Sequence, residues 1–509
     1  MYASSEQQMI LPDDFFLPFG GKLNKNNRWV KLAQMIPWWK VEQHYEKQFK
    51  SSTRGQKAYS VRVALGALII QERLGLSNRE TVQQITENPY LQYFLGLPRF
   101  QEEPPFHPSL LTHFRKRFDA HLLQQVNEWI LEEEEAKSTP SNDSNAACSH
   151  DDHDDHDDDN HGAPGEQASS CPPNTPAKST HGELAPNKGK LLLDATCAPA
   201  DIAYPTDLTL LNEAREKLEA MIDCMHQARE PGKRKPRTYR EKARKAYLAV
   251  AKRRCVKPHT MRKAIGQQLR YVRRDLRIIE TLKDEIGLQV LSRKQYRDLL
   301  VIQELYRQQE EMYRKRTKRI DDRIVSISQP HVRPIVRGKA RANVEFGAKA
   351  AISLVDGYAR LERLAWSNFH EGHLLQEAAE AYRKRYGYYP EAILADKIFR
   401  TRENLKYCKE RGIRLSGPPL GRPSPASRSE QAQFEKQDTR ERNAIEGKFG
   451  EGKRFYGFGL VRTRLQRTSE TVIALTLLVM NLERRLRLLL YAFLRLFFRL
   501  APPVQITTS

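Results

Sequence analysis

The chain of 509 residues has little cysteine, and its cysteines are scattered. Cys148, Cys171, Cys197, Cys224, Cys255 and Cys408 include no close pair. That excludes a disulfide framework and a cysteine-built zinc site, and it fits a reducing cytosol. The stretch from Met1 to Phe16 lacks a basic segment followed by an apolar one, so no signal peptide is expected. Long uncharged apolar runs are missing as well. The C-terminal run Val472–Met480 is too short to cross a bilayer, and Arg484, Arg485 and Arg487 follow it at helical spacing. A core helix continuing into an amphipathic one is expected there, with no membrane partner. Acids are in deficit: lysine and arginine total 85 against 63 aspartates and glutamates, a formal charge of +22. An Asp-rich block near residue 155 makes the remainder more basic still. Such an excess points to a polyanionic partner, nucleic acid first, because neutralised phosphates release counterions.

Residues 1–135 read as a helical domain. Val61–Ile70 has helical period, Gly75 can close that helix, and Ser77-Asn78-Arg79-Glu80 is a capping-box start for a second one. Helix, short turn and helix give the outline of a helix-turn-helix DNA-binding unit, with Arg79 on its second helix. A further helix from Ser109 carries Arg115 and Lys116 toward phosphates. Residues 136–188 are rich in Ser, Asn, Pro, Asp and His and read as a disordered linker, with at most loose metal affinity between His150 and His161. Residues 207–340 show helical spacing with intensely basic faces, either a DNA-contacting arm or a dimerisation device, with charge favouring the arm.

Strand patterning is confined to a few stretches. Lys190–Thr196 runs three leucines into Asp194, which reads as a buried strand delivering a carboxylate to its end. Such a group is costly unless it is paired, caps a turn or binds a cation. Phe346–Asp356 and Ala359–Trp366 form a hairpin joined at Asp356-Gly357. Pro390–Asp396 is a second apolar strand ending in an acid, Glu371–Tyr386 and Arg402–Gly412 are helices, and Ile413–Ser416 is another strand. Strands alternating with helices argue an α/β core, a mixed sheet covered by helices. In a helix over 440–455, Arg442, Glu446 and Lys453 would share one stripe at i, i+4 and i+11, although glycines at 447, 450 and 452 weaken it.

On these residues the chain resembles the DDE transposases of bacterial insertion sequences, in the class marked by Tyr-x2-Arg-x3-Glu-x6-Lys. Arg442-x3-Glu446-x6-Lys453 has that spacing, while Thr439 stands where the tyrosine is expected. Leu193–Thr196 resembles the family's first-acid strand and Ala395-Asp396 its second. Leu415–Pro423 resembles the loop before the third acid, which follows the second by 446 − 396 = 50 residues. The region 60–120 resembles the helical domain that precedes such catalytic cores.

The resemblance implies an RNase H-like five-stranded sheet over 189–206 and 341–500, interrupted by an all-α insertion at 207–340 and preceded by an all-α N-terminal domain. It implies that Asp194, Asp396 and Glu446 are both catalytic and metal-ligating, with Mg²⁺ or Mn²⁺ as cofactor, since carboxylate oxygens suit hard cations. Arg442 and Lys453 would grip DNA. The implied partners are terminal inverted repeats, target DNA and a second copy of the chain in a homodimer or higher oligomer. The implied location is the bacterial cytoplasm, at the nucleoid. A non-catalytic DNA-binding derivative and a metal-dependent endonuclease without transfer activity are the alternative readings.

Overall fold

The structure, a computed structural model, describes residues 11–49, 57–138, 186–336, 344–417 and 428–499. Most of the expected linker at 136–188 and of the loop Leu415–Pro423 lies outside the described residues. The N-terminal part is helical: α1 (Arg28–Met35), α2 (Trp38–Glu46), α3 (Val61–Leu74), α4 (Asn78–Glu87), α5 (Pro89–Phe94), α6 (Leu110–Arg117) and α7 (Ala120–Ser138). Local chemistry sets the α3–α4 junction. Gly75 ends α3 at φ 67°, a left-handed geometry open to glycine. Ser77 and Glu80 then close a reciprocal capping box on α4.

The sheet is mixed and has six strands: β1 (Lys190–Pro199), β2 (Arg333–Val336), β3 (Val344–Val355), β4 (Tyr358–Ala365), β5 (Ala392–Ala395) and β6 (Arg414–Leu415). Its order is β2-β3-β1-β5-β6, with β4 also on β3. The twelve-residue β3 is long enough to serve two neighbours on one edge. Its first residues pair with β2 and its later ones with β4, both antiparallel. Its other edge pairs antiparallel with β1, which in turn runs parallel to β5. The hairpin turn is as expected, with Asp356 at φ 49° and Gly357 at φ 80°. Two expectations need correction. Five strands become six, and Arg333–Val336, expected inside an all-helical insertion, is a strand. Its short extended run reaches the free edge of β3, a pairing invisible to helical periodicity.

Between β1 and β2 lie α8 (Asp207–Gln227), α9 (Arg240–Ala251), α10 (Pro258–Ile286) and α11 (Arg293–Lys315). They have their own apolar core, with Leu211, Leu218, Ile222, Val272, Ile302 and Leu305 among its most buried residues. After β4 follow α12 (Leu374–Tyr386), α13 (Arg402–Glu410) on the far side of β5, α14 (Arg428–Phe455) and α15 (Gln466–Arg499). One sheet face, with Leu191, Leu193 and Ile393, packs on α12 and α13. The opposite face, with Leu192, Ile352 and Leu394, shares a continuous core with α14, α15 and the N-terminal helices.

Buried polar bonds reinforce that second interface. Thr471 Oγ1 donates to the Phe118 carbonyl at 2.8 Å, Asn481 Nδ2 donates to Asn127 Oδ1 at 2.8 Å, and an Arg485 N–H donates to the Ile130 carbonyl at 2.9 Å. Helix α14 is continuous through its three glycines because packing overrides propensity. Ile445 is fully buried, and Gly452 lies where a Cβ would stand 3.1 Å from Met480 Sδ of α15. No described helix is long and apolar enough to cross a membrane.

At Gly347 the backbone of β3 lies close against that of β1. A Cβ there would collide with the Ala198 carbonyl oxygen and stand 2.8 Å from Pro199 Cα. Backbone cannot move aside as a side chain can. Gly347→Ala is expected to cost about 2 kcal/mol or more, read as a lowered midpoint in thermal or denaturant unfolding.

Candidate active site

The sheet register brings two of the singled-out acids together. The parallel pairing of β1 with β5 ends at Leu193 opposite Ala395. The next residue on each strand is an aspartate, Asp194 and Asp396. Asp194 therefore sits mid-strand, a correction to the expected strand end. β1 continues to Pro199 against β3, and what ends at Asp194 is its support from β5. Alternation along β1 puts Asp194 on the face of Leu192, the face that α14 covers.

Asp194, Asp396 and Glu446 all line one cleft of about 710 Å³, together with Lys453, Glu371, His370 and Lys349. Asp194 Oδ1 accepts from the Ala195 N–H at 2.7 Å. Burial pushes its carboxyl up to about 6. The Ala195 N–H opposes the rise, Glu371 and Asp396 add to it, and Arg442 opposes it. Asp396 caps the following turn through the Lys397 N–H at 2.7 Å and accepts from Arg442 Nη1 at 3.0 Å. Glu446 is exposed, one residue past the buried Ile445 that anchors its helix.

Three other acids near these in sequence have their own cations. Glu441 takes Lys190 at 2.8 Å, Glu451 takes Lys448 at 3.1 Å together with Arg487, and Asp207 takes Arg323 at 2.6 Å. Asp201 contributes its backbone, accepting from Gln329 Nε2 at 3.0 Å.

Sequence reading missed Glu371 and Lys349. Glu371 looks like an ordinary first residue of a helix, and Lys349 sits in an apolar strand. In the fold Lys349 is buried, with its ammonium 2.8 Å from Glu371 Oε1, 2.8 Å from the Phe369 carbonyl and 3.1 Å from Asn368 Oδ1. The three polar residues Asn368, His370 and Glu371 shortly after a strand were the available signal.

In the N-terminal part, Arg79 and Lys116 are exposed, as a phosphate contact requires. Arg115 differs. It turns inward and donates to Gln71 Oε1 at 2.5 Å and Asn78 Oδ1 at 2.6 Å, tying α6 to the α3–α4 junction. Half-buried, the guanidinium takes these internal acceptors.

The residues fit a divalent cation by donor chemistry, since the carboxylates of Asp194, Asp396 and Glu446 line one cleft. They do not enclose one: among the described residues no three acidic, imidazole or thiol groups stand close enough to hold a metal ion.

A family profile described as a transposase DDE domain matches residues 393–483, from β5 into α15. A second, described as a transposase domain, matches residues 18–117, from just before α1 through α6. An uncharacterised protein, ORF8 of the nfe locus of Rhizobium meliloti, is 31% identical over 104 residues, 20% of this chain and 49% of that protein. The chain thus spans about half the length of that curated relative. No solved structure matches. With a transposase domain over the N-terminal helices and a transposase DDE domain over Asp396 and Glu446, the resemblance to the DDE transposases of bacterial insertion sequences holds.

Proposed function

We propose that this chain binds the terminal inverted repeats of an insertion sequence, cuts DNA there with a divalent metal, and joins the freed end to target DNA. One observation carries the reading: Asp194 from β1, Asp396 just past β5 and Glu446 from α14 line a single cleft. These acids would hold Mg²⁺ or Mn²⁺. Bound there, the metal would activate a water or hydroxyl and stabilise the leaving oxygen of a phosphodiester. The strand order supports an RNase H-like core, with β1 central between antiparallel β3 and parallel β5. On this reading the core comprises 189–206 with 341–500, now extended by β2, and 207–332 is the insertion.

The chain's own cations have definite tasks. Arg442 neutralises Asp396 and would exchange that carboxylate for a DNA phosphate as the strand enters. Lys453, about two turns along α14 from Glu446, would hold the phosphate on the far side. Arg79 and Lys116 would engage the repeats through the N-terminal helices.

Incubating the full chain with oligonucleotides bearing the element's ends, with and without Mg²⁺, is the direct test. Strand cleavage that requires Mg²⁺, followed by joining to a second duplex, is expected. Cleavage without joining would instead mark a metal-dependent endonuclease, and binding without cleavage a non-catalytic derivative.

A further inference from the structure

The insertion was open to two readings, and the distribution of its charge separates them. Between residues 231 and 257 twelve lysines and arginines face a single acid, Glu241. On the neighbouring helices the cations are neutralised locally: Arg307 pairs with Glu304 at 2.6 Å and Glu311 at 3.0 Å, Lys283 with Glu280 at 2.8 Å, and Arg273 with Glu310. Around α9 a few cations are used this way, as when Arg240 takes Asp223 at 2.9 Å. Arg244, Lys245, Lys252, Arg253 and Arg254 are exposed and make no ion pair among the described residues.

The packing of α9 agrees. It contributes nothing to the apolar core of the insertion, and Ala243 is its only buried residue. Gln268 Nε2 donates to the Ala243 carbonyl at 3.1 Å, and Arg274 stacks over Tyr239 at 4.6 Å. The helix is thus pinned near its start and presents the rest outward. Lys245 and Lys252 lie seven residues apart, two turns on one face, with Lys252 still in helical geometry. A helix–helix dimer interface would need an apolar stripe on this face, whereas α9 offers exposed positive charge, which suits a polyanion.

We infer that α9 and its flanks form a second DNA-binding surface, which takes duplex DNA through its phosphates without reading sequence. Twelve residues of helix span about 18 Å, over which duplex DNA carries about ten phosphate charges. The insertion leaves the sheet at the end of β1, the strand that carries Asp194. DNA held by α9 is therefore tethered to the catalytic strand. The inference takes DNA as the polyanion from the proposed function, but its test uses no cleavage.

The test is binding of the full chain to a labelled duplex of arbitrary sequence, by fluorescence anisotropy across a salt series. Each lost phosphate contact lowers the slope of log affinity against log salt by about 0.9. The variant Arg244→Gln/Lys245→Gln/Arg253→Gln/Arg254→Gln is expected to flatten the slope by about 2–4 and to weaken binding at least about tenfold near 0.1 M salt. Arg253→Lys/Arg254→Lys should retain the wild-type slope, because charge and not shape is at work. These side chains are exposed, so an unchanged melting midpoint will certify the fold. An unchanged affinity and slope overturns the inference, and so does a change of molecular mass by light scattering with DNA binding intact. Loss of cleavage in wild-type protein would sink the catalytic reading and leave this measurement standing.

Discussion

Asp194→Asn is expected to abolish strand cleavage while leaving binding to DNA ends intact. The substitution keeps the shape and removes the charge at the one acid carried by the central strand, where burial and two neighbouring carboxylates already concentrate negative potential. A metal-assisted phosphodiester cleavage draws several kcal/mol from its carboxylate ligands, and about 4 kcal/mol corresponds to roughly a thousandfold in rate. Cleavage should fall by at least that factor in a Mg²⁺ or Mn²⁺ assay. Asp396→Asn and Glu446→Gln should behave alike, since residues that act as a unit lose function together. The position of Asp194 also sets a pH dependence. Its carboxyl, raised to about 6, is protonated at lower pH and competes with a cation, so Mn²⁺ affinity should fall below pH 6 by up to about tenfold per unit. Near-normal cleavage by Asp194→Asn would remove that residue from the site.

Arg215→Ala should produce the largest loss of stability. Arg215 is 1% exposed in the insertion core and donates to Glu219, to Asn212 Oδ1 at 2.8 Å and to Glu216 Oε1 at 3.2 Å. Asp275 is fully buried beside this group, and among the described residues neither of its carboxylate oxygens has a hydrogen-bond partner. Removing the arginine takes the close partner from the buried Glu219, which keeps Arg240 at 3.6 Å, and breaking such a buried pair costs about 3–5 kcal/mol. A fall in melting temperature of roughly 10 °C is expected. Asp275→Asn should do the reverse at neutral pH. Burial, with Glu219 adding, raises the Asp275 carboxyl from 3.8 to about 8. A raised acid contributes stability that is fully present below pH 4 and lost as pH climbs toward 8. The asparagine variant should therefore flatten stability over that window, and an unaltered pH profile would show that Asp275 is not the buried acid responsible.

Much of this molecule could be read locally. The capping box at Ser77, the left-handed Gly75, the Asp356-Gly357 turn and the apolar strands each follow from interactions within a few residues, and these recur wherever the same residues do. The spacing of Arg442, Glu446 and Lys453 needed only a helix, which the fold supplies despite three glycines. The acid-poor stretch around α9 was equally plain as composition.

What tertiary structure alone decided depends on pairing between distant segments. The register that ends parallel support at Leu193 and Ala395, and so sets Asp194 beside Asp396, joins residues about two hundred positions apart. The same is true of β2 on the free edge of β3, of Glu371 held by the buried Lys349, and of Arg115 turned inward to Gln71. Composition named the acids and the cations. Which of them share a cleft, and which neutralise one another inside the protein, was decided by burial, because a charge removed from water takes the nearest partner the fold provides.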